Sequence, residues 1–320
     1  MPTNVYKTTT AIGEREELSD IVAQIDPDET PVYSNAKKIS TNAIYSEWQV
    51  QELASAVATN YVNEGADATY ATPTPTTRLG NYHQISTKPV SVTGTLEAVD
   101  KAGRDSEVAF QKILKSKELR RDLEKSLFAP QVKSASDPRK IAALQAWITN
   151  TSMGVNGTTC VGDGTDHNGQ TASGTARALA LSYIDDVMKL AFEDGGSPDM
   201  MVVSPANKVN FSNLAGADTA IVTNQLNMTT PKPGTLIGST SAYLTDFGTL
   251  EVVVDRFASN SELYLLDSDY LEIGTLPGRN FKTEALAKVG DAENFQLLTE
   301  WTFIPRAPKA HAQVGSLSGS

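Results

Sequence analysis

The sequence predicts an α+β protein. One long amphipathic run spans 105–128, two β-rich runs at 43–50 and 78–96 flank an Ala/Thr/Pro-rich stretch, and short β-rich segments follow one another from Leu250 onward. The chain has 320 residues, 40% hydrophobic and 20% charged, which is ordinary globular usage and excludes collagen, coiled-coil rods and long disorder. One core stops growing below this length, so two core-bearing parts, or a core with a long excursion, are expected.

Residues 1–42 read as a polar arm. Between Glu14 and Glu29 stand seven acids and one base, Arg15. Leu18, Ile21, Val22 and Ile25 recur at helical spacing within Ile12–Ile25, and Pro27 and Pro31 stop that helix. Residues 43–97 read as a projecting hairpin, with Ala43–Val50 and Arg78–Leu96 as its strands. Between them, Ala54–Thr77 is too poor in apolar residues to bury a core. A hairpin of this kind exposes strand edges that invite another chain.

The helix at 105–128 would be ~36 Å long. Its wheel puts Val108, Ala109, Ile113, Leu119, Leu123 and Leu127 on one side, with Phe110, Leu114 and Phe128 as a second patch. Pro130 ends it. Residues 149–175 are Gly/Thr/Ser/Asn-rich and read as a surface loop. Ala178–Phe192 is predicted helical, stopped by Gly195-Gly196. Met200–Val203 has the pattern of a buried strand, Asn207–Leu214 that of a helix, and 215–245 is irregular. Strands are expected at 250–254, 262–267, 270–275, 281–287 and 295–304, and a flexible tail at 311–320. Trp48, Trp147 and Trp301 sit in or beside apolar runs and read as packing residues.

The chemistry that composition excludes is wide. No apolar window is long enough to cross a membrane, and the first residues lack the pattern of a signal peptide. Cys160 is the one cysteine, so no internal disulfide forms. A net charge of −11 disfavours nucleic-acid binding unless the bases cluster. Lys112, Lys115, Lys117, Arg120, Arg121 and Lys125 do cluster, but acids interleave with them, as on a solvated helix. Asp163, Asp166 and His167 could offer metal ligands, yet the loop lacks the alternating carboxylates and distal Glu of a calcium site. Cys160 with His167 makes no rigid dyad, and Ser34-Asn35-Ala36-Lys37 lacks the companion motifs of its class. The reading is therefore no catalytic, cofactor-binding or metal residues, no cofactor and no enzyme. An arm and an exposed hairpin without chemistry point to contact with copies of the same chain.

The residues that carry a family resemblance run in order along the chain. They include Ala11–Asp20, Glu29-Thr30-Pro31, Tyr45–Gln49, Glu64–Ala68, Arg78–Tyr82, Val99–Arg104, Lys117–Asp122, Pro198–Pro205, Asp246–Gly248, Asp255–Phe257 and Thr283–Glu293. The stretch 215–245 carries no such string. With these the sequence resembles the major capsid proteins of tailed bacteriophages, the family typified by phage SU-ten. The resemblance implies the Hong Kong 97-type capsid fold. Its parts would be an N-terminal arm at 1–42, an extended loop at 43–97, and a peripheral domain at 98–177 with its spine helix near 100–128. An axial domain at 178–275, return strands at 276–310 and the tail would complete it.

It also implies hexamers and pentamers that close an icosahedral shell around double-stranded DNA without sequence-specific binding. The chain would be made in the host bacterial cytoplasm and reside in the virion, with portal, scaffolding or decoration proteins as partners and no membrane. Relatives often begin with a scaffolding segment that a protease removes; the expectation here is a separate scaffold protein, which Met1 favours, or else a chain already processed. The alternatives are an encapsulin-type compartment shell and, more remotely, a β-rich enzyme or glycan-binding protein using Asp163, Asp166 and His167.

Overall fold

The computed structural model describes residues 28–101, 103–167, 174–217 and 242–318. The helix expected at Ile12–Ile25 lies outside the described residues, as does most of the irregular stretch expected at 215–245.

A short helix α1 (Pro31–Asn35) starts on a proline, which has no amide to lose at that position, and strand β1 (Lys37–Ser40) follows. Strands β2 (Tyr45–Val50) and β3 (Thr77–Tyr82) pair antiparallel in a two-stranded ribbon. The second predicted strand of the hairpin is in fact two. After His83 the chain enters β4 (Gln84–Thr93), which joins a different sheet. His83 marks the junction, with Thr41 Oγ1 2.7 Å from Nε2 and the Ile44 carbonyl 3.1 Å from Nδ1. Helix α2 (Gly94–Ala98) then leads to the long helix α3 (Glu107–Leu127). Ser106 accepts the Ala109 amide at 3.1 Å, and Glu97 accepts those of Glu107 and Val108, so the orphan donors of the first turn are satisfied.

The remaining elements are β5 (Asn150–Ser152), α4 (Leu181–Glu193), β6 (Met200–Val203), α5 (Pro205–Ala217), β7 (Ala242–Thr245), β8 (Gly248–Val254), β9 (Leu263–Leu266), β10 (Leu271–Thr275), β11 (Lys282–Ala285), β12 (Ala292–Pro305) and β13 (Ala312–Val314). The stop signal after α4 works as predicted. Gly195 has φ +86°, and the amides of Gly195 and Gly196 return to the carbonyls of Phe192 and Ala191, closing the last turn. Helix α5 and β7 both intrude into the stretch read as irregular.

Two larger sheets organise these strands. In one, β12 is the central beam: β10 and β11 pair with one edge and β4 with the other, while β1 adds to β10. Helix α3 packs on β4 and β12. The other is a mixed six-stranded sheet in the order β5-β13-β9-β6-β8-β7, with α4 against β13 and β5. Strand β10 falls within the range 178–275 but pairs with β12. Strand β5, within 98–177, belongs to the mixed sheet.

The tail is a further correction. Residues 312–318 are ordered by pairing: β13 runs parallel to β5 and antiparallel to β9, and Leu317 donates its amide to Ser261. The Gly/Ser content suggested mobility, but Ala312, Val314 and Leu317 are buried and drive the segment into the sheet.

Strands β6 and β9 lie between two hydrophobic cores. Met200, Val202, Tyr264 and Leu266 face a core built around Trp147, Trp301, Leu123 and Leu127. Met201, Val203, Leu263 and Leu265 face a second core with Ile184, Val187 and Phe211. Burial on both faces explains the uninterrupted apolar runs. On α3 only the C-terminal half fits the predicted wheel. Leu119, Leu123 and Leu127 are buried, whereas Ala109 is exposed and Ile113 is 60% exposed. The same stripe is core at one end and meets solvent at the other.

Candidate assembly surface

The ribbon β2–β3 is bolted to the body by a few side chains. Trp48 packs on Trp147 with ring centroids 5.3 Å apart. Buried Asn81 uses its whole amide: Nδ2 donates to the carbonyls of Phe303 (2.8 Å) and Ala142 (3.3 Å), and Oδ1 accepts the amides of Ala142 (2.9 Å) and Tyr82 (3.0 Å). Gly80 sits under the Tyr45 ring, where a Cβ would lie 2.6 Å from Cζ. Lys133 donates to the carbonyls of Gly80 and Asp163, joining ribbon and loop.

Beyond this base the chain leaves the body. The ends of residues 51–76 are held by a Gln51–Thr74 hydrogen bond at 3.3 Å and a Lys309–Glu52 ion pair at 2.8 Å. Between 53 and 73 the hydrogen bonds are local, from Tyr61 to Thr59 and from Ala66 to Asn63. Leu53, Val57, Tyr61, Val62 and Tyr70 are between 66% and 95% exposed. Burying such side chains is worth ~1.5–3 kcal/mol each, so the loop holds a gross potential of roughly 10 kcal/mol that only a second surface can release. The loop carries Glu52, Glu64 and Asp67 and no Lys or Arg. A cavity of about 460 Å³ opens at its base between Val50, Thr77, Gly162 and Pro308.

The arm enters through α1, which is capped at both ends by other elements. Glu124 of α3 accepts the amides of Val32 (2.8 Å) and Tyr33 (2.7 Å). Lys38 donates to the carbonyls of Tyr33 and Ala36, and burial pulls its ammonium down to about 8. Burial, followed by the neighbouring Asp255 carboxylate, pushes Glu124 up to about 9, so it is held as the neutral acid. Asp255 in turn accepts the Phe257 amide at 2.7 Å.

Asp163 and Cys160, both weighed for chemistry, have structural partners. Asp163 Oδ1 accepts both the amide (2.8 Å) and the hydroxyl (2.6 Å) of Thr165, an Asx turn. Cys160 is buried, donates to the Ile148 carbonyl at 3.3 Å, and burial pushes its thiol up to about 11. Among the described residues no group of three or more His, Cys, Asp or Glu is arranged to hold a metal. No described helix is long and apolar enough to cross a membrane. The bases of α3 are dispersed: Lys115 pairs with Glu118, Lys117 with Asp28, Lys112 lies over Phe295, and Arg120 and Arg121 lie over Phe281 and Phe257.

Several strings singled out in the sequence meet at this place. Tyr45–Gln49 pairs with Arg78–Tyr82, and Pro31, Lys117–Asp122 and Asp255–Phe257 surround the seat of α1. The comparison with known families decides the meaning of that convergence. The model of the SU10 major capsid protein family matches residues 2–318. The chain belongs to the SU10 major capsid protein family. Its function is accordingly that of a phage major capsid protein, a subunit of the capsid shell. It is 27% identical to the major capsid protein of Escherichia phage Phieco32 over 235 residues, 63% of this chain and 67% of that one. Its fold is similar to a chain of the cyanophage A-1(L) capsid asymmetric unit, with TM-score 0.66 at 13% identity over 98% of both chains. It is also similar, with TM-score 0.55 at 8% identity over 96% of this chain and 94% of that one, to an encapsulin of Synechococcus elongatus PCC 7942.

Asn81 and Glu124 escaped the sequence reading. Each looks like an ordinary polar residue locally, and the partners that give it meaning are distant in sequence. The one available signal was Glu124 itself, an acid set between Leu123 and Leu127 on the buried side of the wheel.

Proposed function

We propose that this chain closes an icosahedral shell of hexamers and pentamers around phage DNA, each loop 51–76 lying on a neighbouring subunit. The observation that carries this is the loop: it spends five large apolar side chains on solvent and has almost no bonds to its own body. The arm at 1–42 and the ribbon with its loop are the connecting parts. The sheet of β12 with α3 forms the peripheral domain, and the mixed sheet with α4 and α5 the axial one. Net acidity suits a wall that encloses DNA without binding its sequence, since carboxylates and phosphates repel. The chain acts by contact rather than turnover, is made in the host cytoplasm, and meets a portal and scaffolding or decoration proteins in the virion.

The test replaces residues 54–73 with a short Gly/Ser bridge, leaving the Gln51–Thr74 tether. The variant should stay folded and lose shells, read by light scattering and electron micrographs of the same fractions. Shells of normal size and yield would overturn the loop's role. In native shells, DNA as the content supports the phage reading, whereas a packaged enzyme would favour a compartment of the encapsulin kind.

A further inference from the structure

Glu262 is an acid with no exposed surface, set just before β9, the strand that lies between the two cores. Its surroundings come from distant parts of the chain. Gln145, in the buried turn Leu144–Ala146, donates from Nε2 to Glu262 Oε2 at 2.9 Å, and the Tyr264 hydroxyl donates to the same oxygen. Gln145 Nε2 also lies 3.3 Å from the Phe128 carbonyl at the end of α3. Asn207 of α5 donates to the Glu262 backbone carbonyl at 3.1 Å. One residue thus joins α3, α5 and the mixed sheet.

Two oxygens in this joint have no donor. Glu262 Oε1 and Gln145 Oε1 are both buried and both unpartnered. If the carboxyl is ionised, both are acceptors only, and burying two bare acceptors in a core is unfavourable. A single proton removes the conflict. On Glu262 Oε1 it makes that oxygen a donor, and the acceptor left for it on the amide already bonded to Oε2 is Gln145 Oε1. We propose that Glu262 and Gln145 form a carboxylic acid–amide pair, closed by a proton on Glu262 Oε1, and that this pair is a pH-sensitive lock between the end of α3 and the mixed sheet. Burial pushes Glu262 up to about 7, against the bonds from Tyr264 and Gln145, which favour the carboxylate. The other groups facing it add no charge. The Phe128 carbonyl and the Gln145 and Asn207 amides are neutral, and burial holds Tyr264 well above its ordinary value, so it keeps its proton. The lock is closed below pH 7 and opens above it.

Glu262→Gln carries the test, because a second amide reproduces the closed pair at every pH: its Nε2 donates to Gln145 Oε1 and its Oε1 accepts from Gln145 Nε2. Urea melts of the unassembled full chain give the unfolding constant from pH 5 to 8.5. The folded value of about 7 lies above the ordinary carboxyl value of 4.5, so wild type takes up a proton on folding between them and loses that stabilisation as pH rises. Its unfolding constant relative to Glu262→Gln should rise by roughly seventyfold between pH 5 and 8 and then level off. A ratio that stays constant over this range would overturn the proposal. Infrared difference spectra of wild type with isotope-labelled Glu carboxyls give a second reading. They should show one carboxylic acid losing its proton near pH 7, distinct from Glu124 near 9, with a C=O stretch that rises in frequency in Gln145→Leu. No acid titrating near 7 would equally overturn the proposal. So would a stretch unmoved in Gln145→Leu, which would mean that Glu262 holds its proton without the amide.

Discussion

Substituting Glu124 tests how the arm is fastened. In Glu124→Ala the buried amides of Val32 and Tyr33 lose acceptors at 2.8 and 2.7 Å. Each unsatisfied buried donor costs ~1–3 kcal/mol, and relief of the crowding against Asp255 offsets part of the sum, so a loss of about 2–5 kcal/mol is expected. Glu124→Gln keeps one acceptor and should cost about 1–2 kcal/mol. The two carboxyl-free variants also share a signature in pH. The folded pKa of about 9 lies above the ordinary carboxyl value of 4.5, so folding takes up a proton between those values. The stabilisation is complete below pH 4.5 and is lost as pH rises through 9, at up to ~1.4 kcal/mol per unit. Urea melts of unassembled wild type and Glu124→Gln at pH 5.5, 7 and 8.5 measure this. Glu262, which burial pushes up to about 7, contributes equally to both proteins and cancels in the difference. The advantage of wild type should shrink as pH rises. A difference that stays constant over this range would refute the description of Glu124 as a neutral acid.

Three further outcomes are expected. Asn81→Ala should lower stability by about 2–4 kcal/mol in urea melts, because amides and carbonyls from β3, β12 and Ala142 lose partners together. Burial holds His311 down at about 4, below the ordinary imidazole value of 6.5, so it folds neutral; stability is present above 6.5 and lost as pH falls toward 4. Thermal melts of His311→Gln should therefore show a flatter acid limb than wild type by up to about 3 kcal/mol. Leu123→Asp puts a carboxylate at a fully buried position of α3 and should abolish soluble protein, whereas Ile113→Asp, on the exposed half, should leave melting within about 1 kcal/mol of wild type.

The parts legible in the sequence are those whose cause is local. The Gly195-Gly196 stop and the doubly buried run Met200–Val203 state their structure within a few residues. Misreadings arose where tertiary packing overrode composition. Ser/Gly content at the C-terminus concealed β13, and a continuous strand pattern from Arg78 to Leu96 concealed the change of sheet at His83. On α3 the periodicity was right, but nothing local says where along the helix burial ends. The fastenings were invisible for a different reason. Asn81 finds its partners 61 and 222 residues away and Glu124 at 91 and 92, so each site exists only once the fold brings its halves together. The exposed loop was foreseeable from its low apolar content. Its large apolar side chains are too few to fold it and enough to bind it.

The register of β4 on β12 has a mechanical meaning. Ten consecutive residue pairs, from Gln84 opposite Trp301 to Thr93 opposite Ala292, join the strands along their length. The loop feeds into this ladder through β3 and the single residue His83. Tension applied by whatever holds the loop is thus delivered along the strand axis. The bonds are loaded in shear, all at once, instead of being peeled one by one from an end. A pull on the loop therefore meets the resistance of the whole ladder together.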